Sequence, residues 1–129
     1  MPNNNFELTK EWIIKSQNDL KSAQILYRED GPTDSLCFHC QQSAEKILKG
    51  VLVFNKKEFP KIHDLIHLLT LCRKIDKNFK SLENKVSFLN RYYIESRYPP
   101  EIAVYSKAEC KEAIECTEQI IQFIINKIT

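Results

Sequence analysis

Two glycines in 129 residues leave little material for tight turns or for a loop that cradles phosphate. P-loop and dinucleotide fingerprints both need clustered glycines, so neither is present. The five cysteines are an odd number, and Cys37-Phe-His-Cys40 has no second close pair to complete a zinc site. No strand precedes that CxxC, as a thioredoxin-like motif would require. Histidine is scarce too, and none of the three lies beyond residue 67. His63 and His67 are spaced i, i+4, but Asp64 stands where a zinc-protease helix needs glutamate. No metal and no cofactor is expected. No apolar run approaches the roughly 18–20 residues of a membrane span, and the start has no apolar leader core. These absences predict a soluble cytoplasmic protein with reduced thiols. A net charge of +2 does not demand nucleic acid. Strand-like alternation is nowhere sustained, which excludes a β-sandwich.

What is present is helical periodicity. The length fits one domain over residues 1–129, with residues 1–8 a loose terminus. A first helix is expected from about Thr9 to Arg28, with Trp12, Ile13, Leu20, Ala23 and Tyr27 on one face and Glu29–Pro32 as its stop. The second, from an Asp34 or Ser35 cap to Phe54–Asn55, gathers Cys37, Cys40, Ala44, Ile47, Leu48, Val51 and Leu52 on one arc. A short third helix opens at His63 and Asp64, with the Asp64 carboxylate in its first turn. The fourth is expected over Phe79–Ile94, with Leu82, Val86, Leu89 and Tyr93 as its stripe, until Pro99 and Pro100 make a loop of Glu95–Tyr105. Ser106 and Glu109 form a capping box for a fifth helix reaching about Lys127. Its apolar arc covers about half the circumference, so it should be buried on two sides, within the bundle or against a second subunit. The fold class is all-α: an up-and-down bundle of four main helices plus a short one.

Two groups of residues could carry function. The polar arc of the second helix holds His39, Gln42, Lys46 and Lys49, which is how an anion-binding surface would look and equally how a solvated face would look. Glu45 and Lys49 can pair at i, i+4, leaving Lys46 and His39 free. Gln41 projects into the apolar arc, so it should be buried and hydrogen-bonded, with the backbone of a neighbouring helix as partner. The second group joins Arg91 and Arg97 to Tyr92, Tyr93 and Tyr98. Arginines fork onto phosphates and tyrosines stack on bases, but the same tyrosines can be half-buried at a helix end while Glu95 and Glu101 pair with the arginines.

A resemblance narrows these readings. Trp12, Asp19, Leu20 and Ala23, then the tract Phe38–Lys49 (FHCQQSAEKILK), then Lys61–Leu65 (KIHDL), then Tyr93–Pro99 (YIESRYP) resemble the HEPN domain family in order and spacing. The resemblance implies an all-α homodimer that pairs with a minimal nucleotidyltransferase, in some cases as a toxin–antitoxin pair, and binds nucleotide or RNA. Members that are ribonucleases carry an arginine followed after four to six residues by histidine. Here Arg28, Arg73, Arg91 and Arg97 all lack such a histidine, so no catalytic residue is assigned. The leading expectation is a noncatalytic nucleotide- or RNA-binding HEPN-like protein, with Lys46, Lys49, His63, Arg97 and Tyr98 as ligand contacts. The alternatives are a metal-independent ribonuclease with a non-standard site, using His63 or His39, and an interaction module without ligand.

Overall fold

The computed structural model describes residues 4–59, 61–93 and 103–128. Five α-helices follow in order: α1 Asn4–Arg28, α2 Thr33–Phe54, α3 Leu65–Ile75, α4 Glu83–Asn90 and α5 Lys107–Ile128, with a 3₁₀ segment Lys77–Leu82 leading into α4. The described residues contain no strand. No helix among them is long and apolar enough to cross a membrane.

α2 is the central element. It packs along α1, α3 and α5 and also touches α4. All seven residues of its apolar arc are buried, so the arc is the floor of the core. α5 joins through Cys110, Ala113, Ile114, Ile120, Ile121 and Ile124, and the 3₁₀ segment and α4 add Phe79, Leu82, Val86 and Leu89. α5 packs on α2, α4 and α1, so its wide arc is covered largely within the chain.

The α1–α2 contact is close because small polar residues meet there. Ser16 Oγ donates to the Ser43 carbonyl at 2.7 Å and Ser43 Oγ donates to the Ser16 carbonyl at 2.7 Å, with both residues fully buried. Further along the same contact Gly50 faces Trp12, where an added Cβ would lie 3.3 Å from the Trp12 Cβ. Replacing Ser43 by leucine forces the helices apart and deletes one of these bonds, so a loss of about 3 kcal/mol or more is expected. A urea midpoint unchanged in Ser43→Leu would show that the helices do not meet there.

Several boundaries differ from the sequence expectation. α1 begins at Asn4, ahead of Thr9, because Asn5 Nδ2 donates to the Val53 carbonyl at 3.0 Å and Thr9, fully buried, donates its hydroxyl to the Asn5 carbonyl. Neither Asp34 nor Ser35 caps α2. The helix starts at Thr33 behind Pro32 without a side-chain cap, and Asp34 only accepts from the Ser35 amide at 2.8 Å. Asp64 is the N-cap of α3 itself, accepting from the Ile66 amide at 2.9 Å. The expected fourth helix is split: Asp76 caps the 3₁₀ turn and regular helix runs only from Glu83 to Asn90. The loop expected over 95–105 falls mostly outside the described residues. At the capping box Ser106 Oγ accepts from the Glu109 amide at 3.1 Å, but the Glu109 carboxylate turns inward to accept from the Tyr92 hydroxyl.

Candidate functional site

The polar side of α2 is built from two carboxylates, each held between a lysine and a histidine. In the first, Glu45 Oε2 accepts from Lys49 Nζ at 2.9 Å, one helical turn on, while Glu45 Oε1 lies 3.0 Å from His63 Nδ1. His63 arrives from the connection before α3, and Gln41 Nε2 fixes its backbone by donating to the His63 carbonyl at 3.1 Å. Gln41 is fully buried, as its place on the apolar arc required. Gln42 Nε2 donates to Gln41 Oε1 at 2.7 Å, which orients that amide. The ring of Phe59 covers the Lys49 ammonium, whose nitrogen is 5.3 Å from the ring centroid.

The second carboxylate comes from α1. Asp19 Oδ1 lies 2.9 Å from His39 Nδ1, and Asp19 Oδ2 accepts from Lys46 Nζ at 2.6 Å. His39 and Lys46 are seven residues apart, two turns of α2, so one aspartate reaches both. The side chains of Glu45 and Asp19 are 5% and 12% exposed, whereas those of His63 and His39 are 44% and 34% exposed. Each histidine is therefore a partly exposed side chain resting on a sheltered carboxylate.

The His63 end is fastened to α4. Asn90 Oδ1 accepts from the Leu65 amide at 2.8 Å, and Asn90 Nδ2 donates to Asp64 at 3.2 Å. Just beyond α4, the Tyr93 ring stacks on His63 with centroids 4.7 Å apart and planes inclined by 21°. One face of the imidazole is thus covered, and its orientation is set by Glu45 at Nδ1.

Comparison with known proteins agrees with this architecture. The HEPN domain profile matches residues 9–128. The chain belongs to the HEPN family. Among solved structures, ST0689, an archaeal HEPN homologue, superposes with a TM-score of 0.76 at 28% identity, covering 94% of this chain and 98% of its own. TT1696 from Thermus thermophilus gives 0.78 at 27% identity, covering 92% and 97%. "Putative toxin MJ1304" from Methanocaldococcus jannaschii is 25% identical, with 93% of this chain and 88% of that protein covered.

In this HEPN chain the ligand contacts expected from sequence are distributed as follows. His63 does fold over the α2 stripe, on Glu45. Lys49 is 7% exposed and committed to Glu45, and Lys46 is committed to Asp19. Arg97 and Tyr98 lie outside the described residues. From the aromatic–basic cluster, Tyr92 is a core residue, 1% exposed, and burial pushes its phenol well above the ordinary range, with the Glu109 carboxylate adding to the effect. Arg91 is exposed and lies over the Phe88 ring at 4.4 Å. Cys37 and Cys40 are fully buried, and burial pushes Cys40 up to about 12 and Cys37 higher. Such thiols hold no thiolate at neutral pH. Among the described residues no cluster of histidine, cysteine and carboxylate could hold a metal ion.

Sequence reasoning missed Asp19, Asn90 and the role of Glu45 as a hub. The Glu45–Lys49 pair was visible from spacing, but Asp19 as a partner of His39 and Lys46, and His63 as a partner of Glu45, were not, because those partners come from other elements.

Proposed function

We propose that this HEPN protein binds RNA or nucleotide along the His39–His63 side of α2, as a homodimer acting with a minimal nucleotidyltransferase partner in a toxin–antitoxin-like pair. The observation that carries the reading is the His63 imidazole, held at Nδ1 by a buried carboxylate, stacked on Tyr93 and 44% exposed. Groups fixed in this way bind a phosphate without first having to be ordered. Lys46 and Lys49 serve this site chiefly through the carboxylates they hold, and Arg97 and Tyr98 supply the contacts from the segment after Tyr93. The likeness to the Methanocaldococcus jannaschii relative supports the toxin-like role.

The test is binding of a fluorescent single-stranded RNA at low salt. Binding that weakens linearly in log–log form as salt rises is the expected result, because phosphate contacts release counterions. Absence of binding at low salt would leave a protein–protein interaction module. The Glu45–His63 pair also favours a second reading, a metal-independent ribonuclease, since a carboxylate-held imidazole is suited to proton transfer. Cleavage of a mixed RNA pool that disappears in His63→Ala would select it.

A further inference from the structure

The charges on the polar side of α2 cancel. Lys49 is paired with Glu45 and Lys46 with Asp19, each at 2.9 Å or less. With both imidazoles neutral, His39, His63 and these two ion pairs together carry no net positive charge. Neutral imidazole carries one proton, and the carboxylate beside Nδ1 places it there, where it can donate. Nε2 then carries the lone pair, which repels a phosphate oxygen. Among the described residues the imidazoles make their hydrogen bonds through Nδ1, to Asp19 and to Glu45. One further proton makes each Nε2 a charged donor on a partly exposed side chain, with the Nδ1 bond to the carboxylate intact.

We propose that His39 and His63 are two proton-gated contacts for the phosphates of an RNA strand, each taking up a proton as the strand binds. This rests on the RNA-binding reading above and deepens it. One contact is anchored by Asp19 of α1 and the other by Glu45 of α2 itself. His39 precedes Glu45 by six residues, about 9 Å along a helix. That layout suits a ligand with several phosphates in series better than a mononucleotide.

Among the described residues, the charged and titratable neighbours leave the histidines as the variable element. His63 faces Glu45 and, through it, Lys49, with the Tyr93 ring on one face. The adjacent Asp64 is turned to the α3 amides and Asn90. His39 faces Asp19 and, through it, Lys46. His67, the third histidine of the chain, is exposed and stands on no carboxylate among the described residues, so it is the internal control.

The experiment measures the affinity of a fluorescent oligouridylate, at fixed low salt, between about pH 5.5 and about pH 8, where imidazole is the side chain that ordinarily titrates. The expected result is weakening by up to about tenfold per pH unit for each imidazole that must be protonated. His39→Gln and His63→Gln should each flatten the profile in part, the double variant should flatten it fully, and His67→Gln should leave it unchanged. Calorimetry of the unaltered protein in two buffers of different ionisation enthalpy guards against misfolded variants, and net proton uptake on binding is expected. Binding that is independent of pH and takes up no protons overturns the proton gate while the RNA-binding reading stands. A profile unchanged in the double variant also overturns it. No binding at any pH removes both.

Discussion

Raising the pH from about 8 to about 11 unfolds the protein, because its core is closed over thiols and a phenol that must stay protonated. Cys37, Cys40, Cys72 and Cys110 are each fully buried, and Tyr92 is nearly so. Burial pushes Cys40 and Cys72 up to about 12 and Cys37 further, from the ordinary 9.0. A folded-state value above the unfolded one contributes stability that is fully present below about pH 9 and is lost as the pH rises toward the folded value. In that window each thiol removes about 1.4 kcal/mol per pH unit. The three strongly raised thiols together remove about 8 kcal/mol by pH 11, comparable to the whole stability of a typical domain. Tyr92 adds to the loss above pH 10, its ordinary value, since burial and Glu109 both disfavour the phenolate. The check is to follow helical circular dichroism and thiolate absorbance together. They should change in one step, and replacing Cys40 and Cys72 by alanine should reduce the steepness of the loss. More than one equivalent of thiolate near pH 9 with the helices intact would refute the argument, since Cys116 alone of the five cysteines is not fully buried.

The same burial explains which parts of the fold could be read from sequence. The α2 arc from Cys37 to Leu52 was legible because a helix with seven apolar residues on one side has a single way to satisfy them. Gln41 was legible for the complementary reason: an amide on that arc must find a partner, and it found the His63 carbonyl. The Glu45–Lys49 pair lies within one helix, so local spacing sufficed. Asp19 was not legible as the partner of Lys46 and His39, because that pairing depends on the register between α1 and α2. The register is set by Ser16, Ser43, Trp12 and Gly50, residues too small or too general to signal it alone. The α4 stripe was right for Leu82, Val86 and Leu89 but wrong by one residue at its end. The helix stops at Asn90, and the following turn sends Tyr92 into the core and leaves Tyr93 against His63. A stop signalled by tertiary contacts to Asp64 and Leu65, not by glycine or proline, leaves no local mark.

Glu45 is the residue where fold and site depend on each other, and removing its carboxylate should be costly. Its side chain is 5% exposed and serves Lys49, whose side chain is 9% exposed, together with His63. In Glu45→Ala the Lys49 ammonium stays under Phe59 with no anion, and breaking a buried pair from one side costs about 3–5 kcal/mol. Glu45→Gln keeps the shape and an acceptor for Lys49 but not the charge, so a smaller loss is expected. Lys49→Met should cost less than Glu45→Ala, because Glu45 keeps His63, which reaches solvent. The double variant Glu45→Ala, Lys49→Met should recover part of the single Glu45→Ala loss, since no stranded charge remains. Urea denaturation of the four variants measures the coupling directly. Strictly additive losses, or a Glu45→Ala cost below about 1 kcal/mol, would mean that the pair behaves as a solvent-exposed one. In the expected case, loss of RNA binding in Glu45→Ala would not by itself identify a ligand contact. A variant at His63, which sits at the edge of the cluster, separates recognition from stability more cleanly than any change at its centre.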